Sequence, residues 1–353
     1  MKVTGLHVKP FQMTRRDPTW RTSVYAATAV DALAITITTT DGLVGLGATS
    51  VAPASGHTTE GYQALLEQKL GRVLQGRDPF EIEPIMAAVH HASREASRVH
   101  TAIDIALHDL KAKALGVPVY ELLGGRYRTE VPVIRMVGLQ EPVLQARSAA
   151  KLVDDGYRYL KLKIGVDPVK DVERVSEVRK AVGDDVTLTV DANGGYDIKT
   201  AIHVLRRLEP FNVAMAEDPV DDLWGLAQVS HAVEMAIMAD AAVPTHGDII
   251  DAIRGQTIDL VSLKVLKLGL LKAQKMRGTC EGARIRYHLG GTATTRIVEA
   301  AALHFAVASP YNLFGCEIGE YEALDGDAVG GLQLSNGCLQ VPETPGLGVE
   351  LTE

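Results

Sequence analysis

The stretches VTLTVDAN (186–193), VAMAEDP (213–219) and MAIMAD (235–240) each run through apolar, strand-like residues into an acid: Asp191, Glu217 and Asp240. The gaps between these acids, 217 − 191 = 26 and 240 − 217 = 23 residues, are each about one strand-plus-helix unit. In a (β/α)8 barrel, side chains at the C-terminal ends of successive parallel strands point at one spot. Three carboxylates meeting there do not all stay ionised unless a cation binds them. Oxygen-only ligands suit Mg²⁺. Lysines bracket the trio: Lys161 and Lys163 in YLKLKIG (159–165) before it, Lys264 in VSLKVLK (261–267) after it. A metal with lysines on both sides suggests carbanion chemistry, in which each amine or ammonium moves a proton.

Working outward, eight strand candidates follow residue 131: VPVIRMV, YLKLKI, VTLTVD, VAMAED, MAIMAD, DLVSLK, RIRYHL and YNLFGCE. Helical segments lie between them, as near 168–182 and 269–281. Eight such units fit a barrel better than a doubly wound sheet. Residues 1–125 read differently. MKVTGLHVKPF is a strand, and ALAITITTTDGLVGLGA is a hairpin turning at Asp41-Gly42. Helices are expected near 59–75, 80–92 and 97–115, the last ending at Gly116 before Pro118. The expected architecture is therefore α/β: a (β/α)8-type barrel (126–319) with an N-terminal α+β capping domain (1–125), to which the turn-rich tail 320–353 returns.

The chain has 353 residues, 46% of them apolar, and a net charge of −8. That is long enough for a barrel plus a smaller domain. With no basic run, nucleic-acid and membrane-surface partners are not expected. With no long apolar run and no signal-peptide core, a cytoplasmic protein is expected. Cys280, Cys316 and Cys338 are odd in number and widely spaced, which implies neither a disulfide frame nor a zinc site.

Removing a proton α to a carboxylate needs a base on the correct face and stabilisation of the enediolate; a divalent ion supplies the second. A lysine base must be neutral, although its ordinary pKa is about 10.4. Lys161, two residues before Lys163, projects to the same side of a strand. Its ammonium, together with the metal, would depress the pKa of Lys163. Alone, K-x-K describes many solvated strands; with three acids and Lys264 at successive strand ends, it defines a site.

On these residues the chain resembles the mandelate racemase/muconate lactonizing enzyme group of the enolase superfamily, over nearly its whole length. AIDIALHDLKAKALGVPVYELLGG (102–125) and LTVDANGGYD (188–197) look like the family's two signatures. The pattern K-x-K, D, E, D, K is similar to that of the muconate lactonizing subgroup. The resemblance implies Mg²⁺ on Asp191, Glu217 and Asp240, acid/base roles for Lys163 and Lys264, a supporting role for Lys161, and a homo-oligomer acting on a small-molecule carboxylate. In such sites a Lys or His base works beside Mg²⁺, which stabilises the ene-diolate. The mandelate racemase subgroup needs a His-Asp dyad where Lys264 stands. Two departures are Ala241, where many relatives have Glu after the third ligand, and Thr292, where proline-type enzymes carry an acid. Residues 261–310 otherwise look like hydroxyproline betaine epimerases and cis-3-hydroxyproline dehydratases.

The expected activity is racemisation or epimerisation of an amino-acid or proline-type substrate through an enediolate. The alternative is a dehydratase or cycloisomerase using the same two lysines. A barrel with a merely structural ion would need neither lysine. Substrate contacts are expected from Glu317, at the eighth strand end and suited to a substrate ammonium, and from His288, before Gly290-Gly291. The loop RRDPTWRTSVYAA (15–27) adds Trp20 and Tyr25 as lid residues. Lys267, three residues past Lys264, is expected to face away if the strand continues. Asp218 should point away from Glu217. Asn193 is expected to form a turn or cap, and His304 to be a buried helix histidine.

Overall fold

The computed structural model describes residues 1–52, 56–94, 97–310 and 314–352. Strands β1 (Val3–Arg15), β2 (Ala29–Thr39) and β3 (Val44–Ser50) form an antiparallel sheet with the turn at Asp41-Gly42. Its inner face, with Leu33, Ile35 and Ile37, packs on helical residues including Leu66, Leu70, Ile85, Val89, Ile103 and Leu107. The glycines of β3 allow this closeness. A Cβ at Gly45 would lie 2.3 Å from the Ala106 carbonyl oxygen, and one at Gly47 would lie 2.0 Å from that of Ala102.

After the short strand β4 (Glu130–Pro132), seven strands form one parallel sheet in chain order. They are β5 (Ile134–Val137), β6 (Tyr159–Lys163), β7 (Thr187–Asp191), β8 (Val213–Glu217), β9 (Ala236–Ala239), β10 (Leu260–Leu263) and β11 (Arg286–Leu289). They are buried at almost every position, as strands packed on helices outside and side chains inside must be. The eighth position closes the ring. Glu317 N–H donates to Leu289 O (2.9 Å) at the end of β11. Cys316 N–H donates to Pro132 O (2.8 Å), and its carbonyl accepts from Ile134 N–H (2.8 Å). Of the expected strand YNLFGCE, residues 311–313 lie outside the described residues.

The helices that follow β6, β7, β8 and β9 each start on a side-chain cap that satisfies first-turn amides. Asp167, Asp197, Asp222 and Thr245 accept from the backbone of the following turn. The tail returns to the first sheet: β12 (Leu324–Asp325) pairs antiparallel with the end of β1. Among the described residues no helix is long and apolar enough to cross a membrane.

Two acids of AIDIALHD tie these parts together. Asp104 accepts from the backbone N–H of Leu270 and of Leu271 (3.1 Å), on the barrel helix Val265–Ala283. Asp109 accepts from Leu46 N–H (2.7 Å), Leu347 N–H (2.8 Å) and Lys113 Nζ (2.6 Å), joining hairpin, helix and tail. Asp109→Ala strands two buried amides and should lower stability by about 3 kcal/mol. The first denaturant-unfolding transition measures it; a change below about 0.5 kcal/mol, the range of ordinary surface substitutions, would show that the junction tolerates the loss.

His304 is a buried helix histidine, as expected. Its Nδ1 faces Tyr120 N–H (3.3 Å) and its Nε2 faces Leu347 O (3.1 Å). Nδ1 must therefore accept and Nε2–H donate, which is the neutral ring. Burial agrees, pushing its pKa down to about 4.

Candidate active site

Asp191 and Glu217 end adjacent strands in register, and Asp240 follows β9 directly. Lys163 ends β6, and Lys264 follows β10. In a ring of eight strands β6 is second and β10 sixth, so these two lysines enter from opposite sides of the barrel axis. Both line one cavity of about 310 Å³ at the mouth, with Lys161, Asp191 and Asp240.

The three carboxylates are each turned to lysines, and among the described residues no three acidic, His or Cys side chains form an ion-sized cluster. Among the described residues the three carboxylates thus do not converge on one point as expected. Lys163 Nζ pairs with Asp191. Lys161 Nζ sits 2.6 Å from Glu217, 2.6 Å from Glu317 and 3.6 Å from Asp191. Lys264 Nζ is 2.5 Å from Asp240 and 3.7 Å from Glu217. Shared lysines thus link all three acids. Burial works against the charged form of Lys161, but Glu217, Glu317 and Asp191 hold its pKa well above the ordinary value. Lys264 is raised in the same way, with burial outweighed by Asp240, Glu217 and Glu317.

The donor set fits a hard divalent cation. It is three carboxylates and no sulfur or imidazole. Glu217 Oε1 is buried, accepts no hydrogen bond, and points where Lys264 stands 3.7 Å off. Asp218, which indeed points away, supports this end of the barrel. Its carboxylate accepts from the backbone N–H of Asp240 (3.0 Å) and Ala241 (2.8 Å). Burial, with Asp240 and Glu217 nearby, pushes it up to about 7. No carboxylate stands at Ala241 itself.

The expected substrate contacts divide. Tyr25 lines the cavity, on a loop fastened to the barrel by Ser23 Oγ donating to Ala192 O (2.8 Å). Trp20 does not line it. Its ring lies over Arg15 at 4.0 Å and against Gly138, bordering a separate cavity. Glu317 is fully enclosed, and its oxygens already accept from Lys161, from His288 Nε2 (3.1 Å) and from Gly291 N–H (3.0 Å). Neither it nor His288, also fully enclosed, lines the cavity. The ammonium-binding role expected of Glu317 is therefore replaced by holding Lys161. The Gly-Gly pair packs closely on the barrel: a Cβ at Gly290 would lie 2.6 Å from Lys264 Cε, and one at Gly291, which also lines the cavity, would lie 1.7 Å from Glu317 O.

Lys267 faces the site, not away from it. The strand ends at Leu263 and the chain turns helical from Val265, so a residue three further on returns to the same face. Its Nζ lies 3.1 Å from Asp240. Asn193 adopts φ 49°, a turn conformation, while its N–H and Nδ2 donate to Asp191 (2.8 and 3.1 Å) and its side chain lines the cavity. The sequence reading missed Arg15 and Arg98 as cavity residues. The loop and helix that contain them were legible, but which of their faces meets the barrel was not.

A closed barrel with a capping sheet, carboxylates on its third to fifth strands and lysines on its second and sixth defines a class of enzyme that works on carbon acids. Residues 5–124 match the mandelate racemase / muconate lactonizing enzyme N-terminal domain, and residues 145–353 the enolase C-terminal domain-like model. The chain belongs to the mandelate racemase/muconate lactonizing enzyme group of the enolase superfamily. It is 28% identical to an N-succinyl-L-Arg/Lys racemase of Bacillus cereus, covering 100% of this chain and 96% of the relative. It is 32% identical to muconate cycloisomerase 1 of Rhodococcus opacus, covering 99% and 97%. A solved dipeptide epimerase of Enterococcus faecalis, complexed with Mg and the dipeptide L-Leu-L-Tyr, superposes with a TM-score of 0.95 at 31% identity, covering 99% of this chain and 100% of that one.

Proposed function

We propose that this protein is an Mg²⁺-dependent racemase or epimerase that removes and returns the proton α to the carboxylate of an amino-acid-type substrate. The observation that carries this is the entry of Lys163 and Lys264 into one cavity from the second and sixth strands. A base on each face lets a proton leave one side of a carbon and return on the other. Asp191, Glu217 and Asp240 would hold the metal, which supplies positive charge against the negative charge that grows on the substrate carboxylate as the proton leaves. Lys161 is fixed by Glu217 and Glu317 and contributes a permanent positive charge to the same wall. Tyr25 and its loop restrict water at the mouth.

Incubation in D₂O with Mg²⁺ tests the reading. Both enantiomers of a substrate should gain one α-deuterium and interconvert, followed by mass and optical rotation. Absence of exchange across panels of N-acyl amino acids, dipeptides and proline derivatives would overturn it. Loss of water, or closure of a lactone, would instead assign the same lysines to dehydration or cycloisomerisation.

A further inference from the structure

A second cavity, of about 560 Å³ against about 310 Å³ for the active site, lies beside β5. Among the described residues only Met136 lines both, while Arg135 before it and Val137 after it line the second alone. The helix Pro142–Asp154, the tail at 334–337 and Trp20 of the lid loop complete its wall. Arg135 is 7% exposed. Its Nη1 donates to Gly319 O (2.7 Å), and its Nε stands 3.5 Å from Glu320 Oε1 but makes no hydrogen bond. The guanidinium lies 5.3 Å from the centre of the buried Tyr157 ring. A buried N–H without an acceptor is costly.

Most other charges around this cavity are already engaged. Arg16 pairs with Asp325 (2.9 Å) and Glu322 with Arg296 (3.6 Å), while Asp17 accepts from Thr19 N–H (2.9 Å) and Oγ1 (2.6 Å). Lys151 and Asp155 remain. Asp155 N–H donates to Lys151 O (2.9 Å), so the two side chains stand one helical turn apart on one face. They are within reach of each other at that spacing, yet neither pairs with the other or with any described residue. On open surface two free charges would mean little; here both line the cavity that holds the Arg135 Nε. Asp155 also caps the C-terminus of its helix, where the last carbonyls carry partial negative charge and favour a cation. The cavity thus presents two donors to a carboxylate, Arg135 Nε and Lys151, and one place to an ammonium, at Asp155. A ligand of a single charge would meet only half of this arrangement.

We propose that this cavity is a second ligand site, which takes a free, zwitterionic amino acid. The carboxylate lies toward Arg135 and Lys151 and the ammonium toward Asp155. An apolar side chain fits among Trp20, Leu152 and Leu334, which also line the cavity. Its volume of about 560 Å³ is in the range of small-molecule sites. The site is separate from the proton-transfer cavity and does not depend on which reaction is performed there. An occupant would touch the lid, because Trp20 rests on Arg15, which lines the active site.

Calorimetric titration of the full chain tests it with leucine and phenylalanine, each as both enantiomers. Each is compared with two relatives that keep one charge, the N-acetyl amino acid and the amino-acid amide. At least one free amino acid should bind with a Kd of about 1 mM or tighter, and at least about tenfold more tightly than both of its relatives. Asp155→Asn and Lys151→Gln, at exposed positions where the fold loses no partner, should each weaken that binding at least about tenfold. Lys264→Ala, in the active-site cavity, should leave it unchanged, which locates the ligand outside that cavity. Binding lost in Lys264→Ala but kept in Asp155→Asn and Lys151→Gln would place the amino acid in the active site and overturn the proposal. So would a Kd weaker than about 1 mM for every amino acid tested, or an affinity matched by a relative of single charge. Failure here leaves the D₂O exchange untouched, and failure of that exchange leaves this site standing.

Discussion

Lys163→Ala and Lys264→Ala should each abolish interconversion of the two enantiomers, while each still exchanges the α-proton of one enantiomer alone. The expectation follows from the ring. Strand two and strand six face one another across the axis, so each lysine serves one face of a carbon held between them. Loss of a positioned acid or base typically costs about 10²–10⁴-fold in rate. Both side chains also hold carboxylates, Lys163 at Asp191 and Lys264 at Asp240, so each substitution also leaves an acid short of its partner. Structural damage of that sort would depress exchange of both enantiomers together. Single-enantiomer wash-in of deuterium therefore separates the catalytic role from the structural one. A slowing of only about threefold in either variant would contradict the two-base arrangement.

The acids and lysines were legible because they sit at strand ends, where a period of two and a spacing of one βα unit fix direction. Asp191, Glu217, Lys163 and Lys264 all stand at the mouth for that reason. Lys267 was misread because the strand was extended past its real end at Leu263; helical turning brings the third residue back to the same face. Glu317 and His288 were placed correctly along the chain, but their burial under Lys161 and Gly291 depends on contacts between strands that no local pattern encodes. The same holds for Asp109, whose three donors come from residues 46, 113 and 347. Arg15 opens the stretch 15–27 that reads as a lid, and Arg98 lies near the start of the helix Ser97–Leu115. Only docking of the capping sheet on the barrel brings them to the cavity, so neither had a signature in sequence.

Dialysis against a chelator should remove all α-proton exchange, and Mg²⁺ should restore it. Four buried acids, Asp191, Glu217, Asp240 and Glu317, face four lysines, Lys161, Lys163, Lys264 and Lys267. In that balance Lys163 and Lys264 are each held by an acid, at Asp191 and Asp240. The oxygen-only set of Asp191, Glu217 and Asp240, with Glu217 Oε1 accepting no hydrogen bond, is what a hard divalent cation binds. Binding is also measurable without turnover. A ligand that binds only the folded state stabilises it by about 2.7 kcal/mol at a hundred times its dissociation constant, so the melting temperature should climb with Mg²⁺ concentration. Asp240→Asn, which removes one anionic ligand but keeps its shape, should weaken Mg²⁺ binding at least about tenfold by calorimetry, a loss of about 1.4 kcal/mol. Asp248→Asn, whose carboxylate caps an exposed helix start, should leave that affinity alone. Full exchange activity in metal-free protein, or an Mg²⁺ affinity indifferent to Asp240→Asn, would remove the metal from these three carboxylates and leave the lysine–acid network as the complete site.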